Sequence, residues 1–480
     1  MRRPAVVSFS LLLLCAAAFV LSLNGCGKGS AASLSAVRAG SKIQHVVIIF
    51  QENRTPDDLF QDPVLTSHGA DIQNFGVNSK GQTIPLSPID LGTNGSSPDT
   101  YDLNHDHISF TEMCDMNPAT GVCKMDGADL ITGSCVAGVA GCPANPQFMY
   151  VIQTDVAPYF ALAEQYTFAD RMFQTNQGPS FPSHQFIISG TSEPSVGSNL
   201  FVAENPIGVD HASSHAGCTA PATETVALID PSGNESTTMY PCFDHPTLTD
   251  LLNAAHISWK YYAPIAGSIW TSPNAIQHMC GPNAAPPNAT ECTGADWTNN
   301  VILSSTEDPA PVLTDIANGQ LPTVSWVIPS SLASDHAINT DGTGPSWVAS
   351  VVNAIGNSPY WANTAIFITW DDWGGWYDHV PPQKIVNSYQ YGFRVPMIVV
   401  SPYAKAAYVS HVTHDFGSIL KFIETNFNLP SLGFADAPAD DLSDCFNYNQ
   451  TPITFQTIAA PLKAEYFRND RRPQAGPDDD

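Results

Sequence analysis

Residues 366–382 read Ile-Phe-Ile-Thr-Trp-Asp-Asp-Trp-Gly-Gly-Trp-Tyr-Asp-His-Val-Pro-Pro. An apolar run suited to a buried strand delivers two adjacent carboxylates, Asp371 and Asp372, into a glycine turn. In open α/β sheets ligands gather outside the carboxyl ends of strands, so the segment predicts a core strand and a site together. Neighbouring strand residues face opposite ways. The two carboxylates reach one centre only if the chain bends after them, which Gly374 and Gly375 would allow. Asp and Gly are also ordinary turn residues, so the segment alone leaves an acidic turn as the competing reading.

Working outward, short apolar runs at 45–50, 323–328, 365–370 and 396–401, with a weaker one at 257–262, suit strands covered on both faces. Helical patterns lie between them at 159–168, 248–255, 347–355 and 416–427. The last is the clearest, with Phe416, Ile419, Leu420, Ile423 and Phe427 on one face. The alternation predicts an α/β fold, a doubly wound and mostly parallel sheet with helices on both faces. Residues 62–146 and 200–300 break the pattern with Pro, Gly, Asn, Ser and closely spaced cysteines. Both are expected to be disulfide-stapled insertions capping the end of the sheet where the site forms.

With 18 Lys and Arg against 45 Asp and Glu, the formal net charge is −27. Phosphate backbones would be repelled over most of such a surface, so no nucleic acid partner is expected. An anionic substrate requires a cation inside the pocket. At the N-terminus, Met1-Arg2-Arg3, an apolar stretch over 5–23 and Leu23-Asn24-Gly25-Cys26 read as an export signal resembling a bacterial lipobox. The expected organisation is a lipoprotein-type signal peptide over 1–25, a tether over 26–42, one folded domain over 43–465 and a disordered tail over 466–480. A lipid on Cys26 would be the sole membrane contact, placing the protein in the periplasm or on the outer membrane; a plain secretory signal is the alternative. Eleven cysteines less Cys15 and Cys26 leave nine. Eight fall into neighbouring pairs: Cys114 with Cys123, Cys135 with Cys142, Cys218 with Cys242, Cys280 with Cys292. Four local disulfides are the natural reading, with Cys445 left over. The spacings match no zinc motif, and no metal role is expected of the cysteines.

Cleaving a phosphate or sulfate ester needs a cation for the equatorial oxygens, an in-line nucleophile and a proton for the leaving group. Glu52 and Asn53 follow the first strand as hard oxygen donors, and Asp371 and Asp372 are their counterparts after a later one. A cage of this kind suits a divalent metal ion, with Ca, Mg or Mn favoured and iron not excluded. Ser180, in Gly178-Pro179-Ser180, either attacks phosphorus or caps a helix starting there. Ser183 and His184 are nearby alternatives. His105, His336 and His379 are candidate proton donors or phosphoryl contacts. Lys124 and Arg394 are rare cations in an acidic chain, with a structural ion pair as the competing role for Arg394.

Together these residues carry a family resemblance. Glu52-Asn53-Arg54, Gly178-Pro179-Ser180, Ser334-Asp335-His336, the run from Thr369 to Gly375 with Asp378-His379-Val380-Pro381-Pro382, residues 392–402 and residues 418–424 resemble, in order, a bacterial phosphoesterase family. It holds the non-specific phospholipases C and the AcpA-type acid phosphatases. The resemblance implies an alkaline-phosphatase-like fold, metal ligands Glu52, Asn53, Asp371, Asp372 and Ser180, and Ser180 as nucleophile. It implies His105 and His336 as phosphate-contacting, catalytic histidines, with His107 able to slide into the place of His105. His379, His184 and Lys124 are the expected substrate-binding residues. The segment 55–60, Thr-Pro-Asp-Asp-Leu-Phe, departs from the family's usual aromatic run. The chain also ends soon after 430–433, without the β domains of haemolytic phospholipases. The expected function is therefore an acid-phosphatase-like phosphomonoesterase acting through a phosphoserine. The alternatives are a phospholipase C releasing a phosphorylated head group, and a non-catalytic binding protein on the same fold.

Overall fold

The computed structural model describes residues 41–472 apart from 94–100, 134, 136–141, 208–215, 338–340 and 383–386. The expected signal peptide, Cys26 and most of the tether lie outside the described residues, as does the tail beyond 472. The central sheet has eight strands: β1 (His45–Gln51), β2 (Thr167–Ala169), β3 (Trp259–Ala263), β4 (Val301–Leu303), β5 (Val324–Val327), β6 (Thr364–Trp370), β7 (Met397–Val400) and β8 (Tyr408–Ser410). Their order is β4-β3-β5-β1-β6-β7-β2-β8. All adjacent pairs are parallel except those of β7, which runs against both β6 and β2. No helix crosses back among the described residues between β6 and β7, so the chain returns antiparallel.

The five expected strands form, and their apolar runs have a plain cause. Val46, Val47, Ile48, Ile49 and Phe50 of β1 and Ile366, Phe367 and Ile368 of β6 are fully buried, as befits strands covered on both faces. The helices include α1 (His107–Cys114), α2 (Gln153–Gln165), α3 (Ser180–Ser189), α4 (Leu248–Ala254), α5 (Gly344–Gly356), α6 (Phe416–Phe427) and α7 (Ala464–Asn469). They pack as two groups, α2 with α5 and α7, and α3 with α4 and α6. A capping box of Asp415 and Ser418 starts α6, and Asn428, with φ of 56°, ends it.

Three expectations need correction. The helix over 159–168 starts earlier and stops sooner, because Pro158 lies inside α2 and hides the turn before it, while residues 167–169 join the sheet as β2. Short strands β4 and β8 at the sheet margins carry no periodic signal and were not expected. The ordered chain also passes the 465 limit. Phe467 of α7 is buried against Trp347, Arg468 donates to the carbonyl of Leu313 at 2.9 Å, and Arg472 pairs with Asp341 at 2.7 Å.

All four expected disulfides form. Two staple each insertion, and Cys445 is a free, buried thiol.

Candidate active site

Register brings the two carboxylate segments together. β1 and β6 are neighbours, with Gln51 level with Trp370, so Glu52-Asn53 and Asp371-Asp372 leave the sheet side by side. The Asp371 N–H still bonds the Gln51 carbonyl at 2.9 Å, and its carboxylate turns to accept the Asn53 N–H at 2.9 Å. Asn53 takes a left-handed φ of 56°, a conformation Asn tolerates better than most side chains. Asp372 accepts the Gly374 N–H at 2.8 Å. Gly374 has φ of +61°, and a Cβ there would lie 2.5 Å from the Asn53 carbonyl oxygen. The glycine both bends the chain and lets it touch Asn53.

Ser180 is the first residue of α3 and does not cap it; that place belongs to Pro179. Its hydroxyl instead lies 3.2 Å from Asp372 Oδ2 and 3.4 Å from Glu52 Oε2. The Gly178 turn brings it there: a Cβ on Gly178 would collide with the Ala203 carbonyl at 2.1 Å and the Tyr389 hydroxyl at 2.2 Å. His184, one turn further on the same face, sets Nε2 3.1 Å from Glu52 Oε1 and 3.9 Å from Asp371 Oδ2. Glu52, His184 and Asp371 offer ligand atoms all within 4.8 Å of one another.

His105 comes from the first insertion. Its Nδ1 donates to the Leu103 carbonyl at 2.8 Å, and its Nε2 accepts from Asn53 Nδ2 at 2.9 Å, 3.9 Å from Asp372 Oδ2. The hydrogen-bond partners assign this tautomer. His107 points elsewhere, to Glu235 and Gln177. The His336 ring lies 6.2 Å from that of His105. Its loop is held by Asp335, which accepts from the Tyr159 hydroxyl at 2.7 Å and Trp370 Nε1 at 3.0 Å.

The electrostatics of this cluster are one-sided. Glu52, Asp371 and Asp372 are fully buried, and among the described residues no Lys or Arg forms an ion pair with them. Burial, then Asp371 and Asp372, raise the Glu52 carboxyl well above its usual range. Burial and Asp371 push Asp372 up to about 8 against the opposing pull of His105, the Gly374 N–H and His336. Burial lowers His184 to about 4, so its ring is neutral near pH 7. Asn53 Oδ1 and Asp371 Oδ2 are buried oxygens with no hydrogen-bond partner. Crowded carboxylates and orphaned hard oxygens are a donor set that fits a divalent cation.

Two expected substrate contacts stand apart from this cluster. His379 sits between Asp57, at 2.7 Å, and Asp71, at 3.0 Å. It belongs to a network centred on Arg394, which bonds Asp378 at 2.8 and 2.9 Å and the carbonyls of Asp71 and Asp170. Arg394 therefore has the structural role. Lys124 is at the surface, paired with Asp115 and, at 3.4 Å, with Asp126; acidic neighbours close in sequence satisfy it. Sequence reasoning also missed contributors. Asn205 accepts the Phe181 N–H at 2.9 Å in the first turn of α3, and Trp270 lies over His184 at 6.4 Å and near His336 at 6.3 Å. Both come from the second insertion, where no local pattern marks them.

The model of the Phosphoesterase family matches residues 43–430. Non-hemolytic phospholipase C of Burkholderia pseudomallei is 25% identical over 455 residues, 85% of this chain and 59% of that protein. Hemolytic phospholipase C of Pseudomonas aeruginosa is 23% identical over 469 residues, 86% of this chain and 57% of that protein. This chain thus spans less than two thirds of the length of either relative. Among solved structures, a protein in the alkaline phosphatase superfamily from Vibrio parahaemolyticus is similar at 10% identity and a TM-score of 0.33, over 58% of this chain and 63% of that one. With the family model running across the sheet and every residue of the cluster around Ser180, the chain belongs to the Phosphoesterase family.

Proposed function

We propose that this protein is an exported, metal-dependent phosphoric ester hydrolase that works through a phosphoserine on Ser180. The observation that carries the reading is the Ser180 hydroxyl, turned away from capping and held between Asp372 and Glu52 at the N-terminus of α3. The carboxylates accept and orient the hydroxyl proton, and the positive end of the helix favours a phosphoryl group arriving in front of it. A new bond from Ser180 Oγ to phosphorus forms as the ester P–O bond breaks. His105 and His336 flank the cluster; His336, and His105 once its Nε2 takes up a proton, donate to phosphoryl oxygens and supply a proton to the departing alcohol. Water then cleaves the serine–phosphorus bond. Glu52, Asn53, Asp371 and Asp372, with Ser180, would hold the cation, which supplies Lewis-acid stabilisation of the phosphoryl oxygens and of the serine oxygen. Oxygen donors favour Ca, Mg or Mn, and His184 in the same cluster admits iron as well.

A small phosphate monoester is the substrate class this geometry supports best, because Ser180, His105 and His336 are each at most 3% exposed beneath the insertions. The names of the relatives favour a second reading, release of a phosphorylated head group from phospholipid. No described helix is long and apolar enough to cross a membrane, and the proposed attachment is lipidation of Cys26. Four disulfides support export to an oxidising compartment.

The test is a substrate panel with and without chelator. Free phosphate from a small monoester supports the phosphatase reading, and phosphocholine from phosphatidylcholine supports the phospholipase. Ser180→Ala should lower turnover by roughly a thousandfold or more while leaving the fold intact. Full activity in that variant would sink the assignment.

A further inference from the structure

We propose that Cys445, His414 and Asp444 form a second metal site, for a single zinc-like divalent ion, that pins the C-terminal segment to the edge of the sheet. The ninth cysteine is not placed at random. It lies at the end of a one-turn helix, Ser443–Cys445. Its carbonyl accepts from the Lys405 N–H at 2.9 Å and from the Thr167 hydroxyl at 3.2 Å, which docks the loop against β2 and β8. His414 lies just beyond the end of β8, before α6.

Three potential ligand atoms converge there within 4.8 Å of one another. His414 Nε2 is 3.4 Å from Asp444 Oδ1, Cys445 Sγ is 3.6 Å from the same oxygen, and Sγ is 4.0 Å from Nε2. A tetrahedral zinc ion with ordinary bond lengths separates nitrogen from oxygen by about 3.4 Å, sulfur from oxygen by about 3.6 Å and sulfur from nitrogen by about 3.6 Å. Two of the three separations already agree, and the third closes with a shift of a few tenths of an ångström.

The surroundings support the same reading. Asp440 Oδ1 lies 3.1 Å from the other ring nitrogen, Nδ1; Nδ1 makes no well-directed hydrogen bond there, and a small turn of the ring would bring the pair to the carboxylate–histidine arrangement that orients a ligating imidazole. Ser410 Oγ lies 3.2 Å from Nε2 and donates to Asp444 Oδ2, which fixes the Asp444 carboxylate beside the ring. His414 and Cys445 are fully buried, whereas Asp444 and Asp440 keep 21% and 32% of their side-chain surface. The ion therefore has an entry on the carboxylate side and a water-poor anchor on the other. Thiolate, imidazole and carboxylate together select zinc over the hard ions that suit the Ser180 cluster, and the two sites share no ligand. Nothing in cysteine spacing announced it, because His414 and Cys445 are 31 residues apart in sequence.

Cobalt(II) reports on this site directly, since bound thiolate gives a near-ultraviolet charge-transfer band that oxygen and nitrogen ligands do not. The metal-stripped, disulfide-intact chain titrated with cobalt should show that band, and zinc should abolish it. Cys445→Ser should lose it, which also separates Cys445 from Cys15 and Cys26, while Glu52→Gln should keep it. Asp444→Asn, at the exposed rim, tests the site in a chain whose core is untouched. Its cobalt affinity at this site should fall by roughly ten- to a hundredfold with an unchanged circular dichroism spectrum. A wild-type chain without the band at saturating cobalt, a band that survives Cys445→Ser, or unaltered affinity in a folded Asp444→Asn variant would overturn the proposal.

Discussion

Replacing Glu52 by glutamine should stabilise the protein in chelator and lose that advantage once a divalent cation is supplied. Glu52 and Asp371 bring carboxylate oxygens within 4.8 Å of one another, with both side chains fully buried. Where both are ionised, at the high-pH end, two unit charges at that separation repel by about 3.5 kcal/mol at an effective dielectric constant of about 20, which is the ceiling of the effect. Glutamine keeps the shape and removes the repulsion. Unfolding a domain of roughly 430 residues carries an entropy of about 2.1 cal/mol/K per residue, so 3.5 kcal/mol is about 4 °C in Tm. The pH dependence has a definite sign. Burial, then Asp371 and Asp372, raise the Glu52 carboxyl in the folded state, so the folded protein holds a proton that the unfolded chain releases. Stability of the wild type in chelator therefore falls as pH rises, and the gain from glutamine grows with pH. A cation at a thousandfold excess over its Kd stabilises the wild type by about 4.1 kcal/mol, enough to cancel the variant's lead. Calorimetry at pH 6 and 9, in chelator and in manganese, measures all four corners. A variant less stable than wild type in chelator, or differing by the same amount with and without metal, would refute the reasoning and assign Glu52 to packing.

Three further outcomes follow from other parts of the molecule. Gly374→Ala places a Cβ 2.5 Å from the Asn53 carbonyl at φ of +61°; it should cost about 1–3 kcal/mol and, by displacing Asn53, erase the metal-dependent shift in Tm. His379→Gln should lower Tm because it breaks a buried ion-pair network, yet leave kcat/KM within about twofold; a selective rise in KM would restore it as a substrate contact. His278, 2.7 Å from Asp244 and 3.3 Å from Asp250, is raised to about 9, chiefly by its bond to Asp250 against the opposing effect of burial. The pair's contribution is complete below about pH 6.5, the ordinary histidine value, and fades as pH rises through about 9. For a half-exposed pair it is about 1 kcal/mol, so His278→Gln should lower Tm by about 1 °C at pH 6 and by nothing at pH 10.

What could be read from sequence depended on how locally each feature is encoded. β1 and β6 are buried on both faces and show as unbroken apolar runs, whereas three-residue β4 and β8 show as nothing. The carboxylate pairs were legible because each ends such a run, and α6 because its apolar face and caps are all within one segment. His105 and His336 drew their proposed roles from family resemblance. The structure supplies a reason for their placement, through the Leu103 carbonyl for one and the Asp335 network for the other. Asn205 and Trp270 were illegible, since each acts on a residue held by a different part of the chain. Lys124 stands out in the sequence by scarcity and His379 by its place after the Asp-Asp-Trp-Gly-Gly turn, yet both are bonded to acidic side chains away from Ser180. In a chain of net charge −27, a cation more readily finds an acidic neighbour than a substrate.

Adjacent carboxylates on one strand end can face one ion only because each is bonded differently to the backbone around it. Alternation alone would send Asp371 and Asp372 to opposite faces. Asp371 escapes it by staying on the ladder through its N–H while its carboxylate accepts the Asn53 N–H. Asp372 escapes by accepting the Gly374 N–H in the turn, which leaves its other oxygen beside Ser180. Each carboxylate thus spends one oxygen on fixing the backbone and offers the second to the site. Asp371 Oδ2, buried and without a hydrogen-bond partner, is the atom that a cation has most to gain from meeting. A substitution of Asp371 by asparagine should therefore weaken metal binding even where the Asn53 contact survives. Unchanged metal affinity in a folded Asp371→Asn variant would show that the orphaned oxygen is not a ligand.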